Sequence, residues 1–142
     1  MNKGFWGILA AAAVLFTVAA PVPAQSLRVT ATIPFGFTVG KATLPAGEYS
    51  ILPLSNSRLI QVSNQVQRSS VLAIANSTYA GTARLAGAPR LVFNRYGDHY
   101  VLSQIWDGTS TGHQFPMSRS ERTMAQVTPV ERLEIVAMLM SR

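Results

Sequence analysis

His99 and His113 are the two histidines of the chain, and with Asp98 and Asp107 they form its one conceivable metal-ligand set. Such a set would need the Asp98-His99 pair to meet the segment just before Phe115. The short, regular ligand spacings of zinc sites are absent, and a His beside a Gly-Asp pair reads as an exposed turn residue. Hydrolysis by paired carboxylates needs two acids facing one cleft. The acids are Glu48, Asp98, Asp107, Glu121, Glu131 and Glu134, and each has a local structural reading. No Ser stands in a G-x-S-x-G elbow, no Gly loop could cradle a phosphate, and without Cys there is no thiol chemistry. The residues that could do chemistry therefore exclude more than they offer. No catalytic role, metal or cofactor is expected.

The aromatic residues offer more. Tyr96, Tyr100, Trp106 and Phe115 lie close in sequence, with Arg95 and His99 between them. Arg95, Tyr96, His99 and Tyr100 make a candidate surface binding cluster: gathered at a sheet end, they could stack on a sugar or another flat ligand. The competing reading places Tyr100 and Trp106 in the core or at a barrel mouth, because aromatics dominate β cores.

The elements that must position these residues are strands. Residues 27–39 alternate strictly, with Leu27, Val29, Ala31, Ile33, Phe35, Phe37 and Val39 apolar and polar, small or breaker residues between them. A period of two over that length marks a half-buried strand. Leu44-Pro45-Ala46-Gly47 fits a type I turn, and residues 48–54 follow as a strand with Tyr49 and Ile51 on one face. Pro53 marks an edge or a strand end. A turn at residues 55–57 precedes a short strand over 58–63, and Asn64-Gln65 makes another turn. The unbroken Val71-Leu72-Ala73-Ile74 run suggests a strand covered on both sides. Residues 76–89 read as the least structured piece, and the glycosylation triplet Asn76-Ser77-Thr78 reads as coincidence.

The sharpest local signal is a hairpin over residues 90–106, turning at Gly97-Asp98 as a type II′ loop. Its register sets Tyr96 opposite His99, Arg95 opposite Tyr100, and Phe93 opposite Leu102 facing the core. Residues 107–115 read as a Gly/Ser/Thr loop. Ser118 and Glu121 have the spacing of a capping box, which predicts a short helix over 119–126 that ends before Pro129. Residues 131–140 alternate and read as a strand, with a helix as the competing assignment. The sum is an all-β antiparallel sandwich or small barrel of about seven to eight strands with one short helix.

Residues 1–24 stand apart from that fold. Lys3, an apolar run over residues 8–20 broken only by Thr17, and Val22-Pro23-Ala24 before Gln25 have the layout of a secretory signal peptide, and a run of thirteen residues is short for a membrane span. The expectation is an exported protein of the periplasm or exterior, a single domain over 25–142 that does not span the membrane once cleaved. Lys3 leaves with the signal, so eleven basic residues face six acidic ones and the net charge becomes +5. Its ten Arg are scattered without a dense run, which reads as solvation and gives no nucleic-acid stripe. With no Cys the fold must hold by packing and strand pairing alone.

Four pieces in order, I-P-F-G-F-T-V-G at 33–40, L-P-A-G-E-Y at 44–49, L-V-F-N-R-Y-G-D-H-Y at 91–100 and S-Q-I-W at 103–106, carry a resemblance. Together they resemble a group of small secreted proteins of unknown function found in many copies in acidobacterial genomes. That resemblance implies an exported Gram-negative protein and no site residues. Separately, L-P-A-G-E-Y resembles the edge of immunoglobulin-like and transthyretin-like bacterial modules, which bears on fold class alone. The expected role is a non-catalytic binding or structural module of the cell envelope, its partner a protein or glycan. The alternative is a carrier that encloses a small apolar ligand in a lipocalin-like barrel lined by Phe35, Phe37, Phe93 and Leu102.

Overall fold

The computed structural model describes residues 28–54, 58–79, 87–109 and 111–140. The expected signal peptide and the expected turn at 55–57 lie outside them. Among the described residues no helix is long and apolar enough to cross a membrane.

The alternation that opens the chain survives, but as two strands. Val29, Ala31, Ile33, Phe37 and Val39 are all buried. Pro34, which has no N–H for a ladder, separates β1 (Arg28–Ile33) from β2 (Phe37–Val39), and the chain changes sheet there. β1 pairs with β4 (Gly47–Pro53), whereas β2 pairs with β3 (Ala42–Leu44) and meets β9 (His99–Trp106) in parallel at Thr38 and Val101. Tyr49 on β4 is buried, and its hydroxyl donates to the Pro45 carbonyl at 2.7 Å, which pins the L-P-A-G-E-Y turn to the core.

The remaining elements are β5 (Leu59–Asn64), β6 (Ser69–Ile74), β7 (Asn76–Tyr79), β8 (Arg90–Tyr96), β10 (Thr111–Gln114), α1 (Arg119–Val127), β11 (Glu131–Val136) and β12 (Met138–Met140). One sheet runs β12-β1-β4-β5-β6 and the other β11-β8-β9-β10-β7. Two further strands switch sheets at a single residue. Ala75 separates β6 from β7, and Ala137 separates β11 from β12; both are buried. Their N–H groups stay satisfied, Ala75 donating to Arg58 and Ala137 to Pro89, each at 2.8 Å. A methyl side chain lets each strand bend over the core without a clash, as at the corners of closed sandwiches. The pairing path therefore returns on itself through eight positions: β11/β12, β1, β4, β5, β6/β7, β10, β9 and β8. The fold is an all-β sandwich whose two sides are closed by bent strands.

Side chains fill the interior. Phe37 packs edge-on to Tyr49 and to Phe93, with ring centroids 5.1 and 5.5 Å apart. Phe35 meets Phe93 edge-on at 5.1 Å, and Leu102 is buried in the same cluster. The four residues named as a cavity lining thus pack into one core.

The hairpin has the expected register at Tyr96–His99, Arg95–Tyr100 and Phe93–Leu102. Gly97 has φ 61°, and Asp98 is not among the positive-φ residues, which matches the signs of a type II′ turn. Beyond Phe93 a bulge intervenes: Val92 pairs with Gln104, so Ser103 is the extra residue on β9. Several expectations need correction, and one is that residues 76–79, read as part of the least structured piece, form β7. Leu72 and Ile74 on β6 are exposed, because β6 is the last strand of its sheet, paired with β5, and no layer among the described residues covers its outer face. Residues 111–114, read as loop, form β10 between β9 and β7. Gly112 makes that pairing possible, since a Cβ there would lie 2.6 Å from the Trp106 ring and 2.8 Å from the Ile105 carbonyl. The helix α1 forms where the cap predicts it, but only half of the capping box does. Ser118 Oγ accepts from the Glu121 N–H at 3.1 Å, while the Glu121 side chain goes elsewhere.

Candidate functional site

The hairpin register decides the fate of the cluster Arg95, Tyr96, His99 and Tyr100, because facing residues share a side of the sheet. Arg95 and Tyr100 fall on the core side with Phe93 and Leu102. Tyr100 stacks on Phe35 at 3.8 Å between ring centroids, 15° from parallel. The Arg95 guanidinium lies 5.5 Å from the Tyr100 centroid, its Nε donates to the Gly97 carbonyl at 2.8 Å, and its Nη1 lies 3.4 Å from the Glu131 carboxylate. Ring and cation are engaged with their own neighbours. Tyr96 falls on the other side and is 3 % exposed, so it is no surface residue. His99 alone of the four is a freely exposed side chain. The structure splits the cluster instead of assembling it.

The histidine pair fares no better. His113 on β10 pairs with Ile105, six residues along β9 from His99, which puts the two about 20 Å apart. Among the described residues no three His, Asp or Glu side chains converge as a metal site. Burial holds the half-buried His113 below its ordinary 6.5, with Asp107 opposing the shift.

Tyr96 leads to a different place. Its hydroxyl donates to Glu121 Oε1 at 3.0 Å, and Asn94 Nδ2 donates to the same oxygen at 3.2 Å. Glu121 is 4 % exposed and has no cation paired with it among the described residues. Two donors and the first turn of α1, where the helix dipole favours an anion, hold it instead. Burial, and then the Glu121 carboxylate, raise the Tyr96 phenol above its ordinary 10.0. A carboxylate offers only acceptors, so Asn94 must turn its NH2 inward, leaving its carbonyl oxygen for something else.

Asn94 lines a cleft of about 380 Å³ across the outer side of the second sheet. The polar lining is a row of five residues, Arg132, Asn94, Ser103, Gln114 and Asn76, one from each of the strands β11, β8, β9, β10 and β7. Arg132 faces Asn94 directly and Gln114 faces Asn76, while the bulge admits Ser103 between them. Phe115, Pro116 and Met117, which lead from β10 into α1, supply the apolar part of the wall. The row crosses four interstrand spacings of about 4.8 Å, about 19 Å in all. At its far end Arg58 Nη1 donates to Asn76 Oδ1 at 3.4 Å.

No family model, curated protein or solved structure matches this chain. The cleft must be read on its own chemistry. Amides and a hydroxyl offer both donors and acceptors at fixed spacing, a guanidinium offers donors only, and a short apolar wall can cover the face of a ring. That is equipment for holding a polar, hydroxyl-bearing ligand, and it contains no nucleophile–base pair.

Sequence reasoning missed all five. Asn94 lies inside the hairpin among aromatic neighbours, and nothing in its composition or spacing sets it apart. Gln114 was hidden by the loop reading of 107–115, and Ser103 by a bulge that alternation cannot reveal. The one available signal was Glu121, whose spacing from Ser118 explained it too easily.

Proposed function

We propose that the protein is a non-catalytic, exported binding module of the cell envelope, and that the cleft on its second sheet holds a glycan. The observation that carries this reading is the row Arg132, Asn94, Ser103, Gln114 and Asn76 on five successive strands. Its length suits a short oligosaccharide, and its mixture of donors and acceptors suits hydroxyl groups. The interior packing of Phe35, Phe37, Phe93 and Leu102 supports an outer-surface site over an enclosed apolar cargo. The ordered motifs and the signal layout support export and membership of the secreted acidobacterial group.

A saccharide array probed with protein expressed from the full sequence tests the reading. Binding to one class of oligosaccharide is expected, and the double variant Asn94→Ala, Gln114→Ala should lose at least tenfold in affinity when assayed well below its denaturation midpoint, which loss of the Asn94 donor to Glu121 lowers. Retention of affinity in that variant contradicts the proposal.

A further inference from the structure

Charge along β11 narrows the class of glycan. Glu131 lies 3.4 Å from Arg95 and Glu134 lies 3.8 Å from Arg90, so each carboxylate flanking Arg132 in sequence is already matched by a cation. Arg132 itself is exposed and has no ion-pair partner among the described residues. None of the residues lining the cleft is acidic. Glu121, which touches the lining through Asn94, is buried, with its side-chain hydrogen bonds drawn from Asn94 and Tyr96. The other end of the row is also flanked by a cation, Arg58, whose contact there is with the neutral Asn76 amide. A row of neutral amides bounded by a guanidinium at each end is complementary to an anion that also carries hydroxyl groups.

We infer that the ligand is an acidic oligosaccharide bearing sugar carboxylates, with Arg132 as the residue that reads the charge. This rests on the reading of the cleft as a glycan site. A planar guanidinium matches a carboxylate through two parallel N–H donors, a geometry that a neutral hydroxymethyl group in the same place cannot use. Asn94, fixed by Glu121, then accepts from a ring hydroxyl beside that carboxylate.

The experiment is a titration of the full-length protein with tetragalacturonate and with its methyl ester, which keeps the skeleton and hydroxyls and removes the charge. The acid should bind at least tenfold more tightly than the ester, and the difference should shrink at high salt. Arg132→Gln should abolish the difference, and Arg132→Glu should favour the ester. Equal binding of acid and ester, sensitive to Asn94→Ala but not to Arg132→Gln, overturns the charge assignment and leaves a neutral-glycan cleft. Absence of binding to both, together with an array that binds no saccharide, overturns the glycan reading as well. Arg132 is exposed, so thermal midpoints within a degree or two of wild type will show that both Arg132 variants are folded.

Discussion

The Tyr96 hydroxyl donates to Glu121 Oε1 at 3.0 Å. It ties a buried tyrosine on the sheet to a buried carboxylate on the helix. Tyr96→Phe removes one of the two donors to Glu121 and should cost about 1–3 kcal/mol, the penalty for an under-satisfied buried polar group. The same pair gives a pH signature. The folded state raises the Tyr96 phenol above 10.0, so it holds that proton more tightly than the unfolded chain does. Stability from this source is complete below pH 10 and is lost as the pH rises through the raised folded value. Denaturant titrations between pH 8 and 11 should show an alkaline decline in wild type that is shallower in Tyr96→Phe. Parallel slopes in the two proteins would remove Tyr96 from the account.

Among the elements, the β8–β9 hairpin was legible because its information is local. Gly97-Asp98 fixes the turn and the turn fixes the register, as far as Leu102. The bulge at Ser103 was not legible, since an extra residue leaves no trace in composition. β10 was hidden for a related reason: Thr111-Gly112-His113-Gln114 has loop composition, and what makes it a strand is the close fit of Gly112 against Trp106, its partner on β9. Capping spacing located α1 correctly, yet the Glu121 side chain preferred Tyr96 and Asn94 to its own backbone, a choice set by tertiary contacts. The candidate cluster failed for want of that information. Its four residues alternate across the sheet, and only the buried helix contact shows which side Tyr96 takes. Gly112→Ala tests the element directly, because the added Cβ meets backbone and ring atoms that cannot step aside. Overpacking of this kind should cost about 1–3 kcal/mol and lower the denaturation midpoint, whereas an unchanged midpoint would show that β10 has room to shift.

At the scale of the whole molecule, bends at Ala75, at Ala137 and over residues 34–36 turn two sheets into one closed circuit. Strands that look like seven or eight in sequence become twelve because three of them break as they change sheet and because β3 and β10 form in addition. Closure fills the inside with Phe37, Tyr49, Phe93 and their neighbours. On its outer side the second sheet presents its row of amides and Arg132, with α1 and the segment from Phe115 to Met117 beside it. On the proposed reading this cleft, not the hairpin tip and not the interior, receives the ligand. The most direct measurement is a two-dimensional NMR titration of the labelled protein with whichever of tetragalacturonate and its methyl ester binds better. The account predicts that the side-chain amide signals of Asn94, Gln114 and Asn76 move together and saturate at one affinity, while His99 and Tyr100 stay still. Shifts confined to residues 95–100, or spread through the core around Phe37 and Phe93, would contradict it.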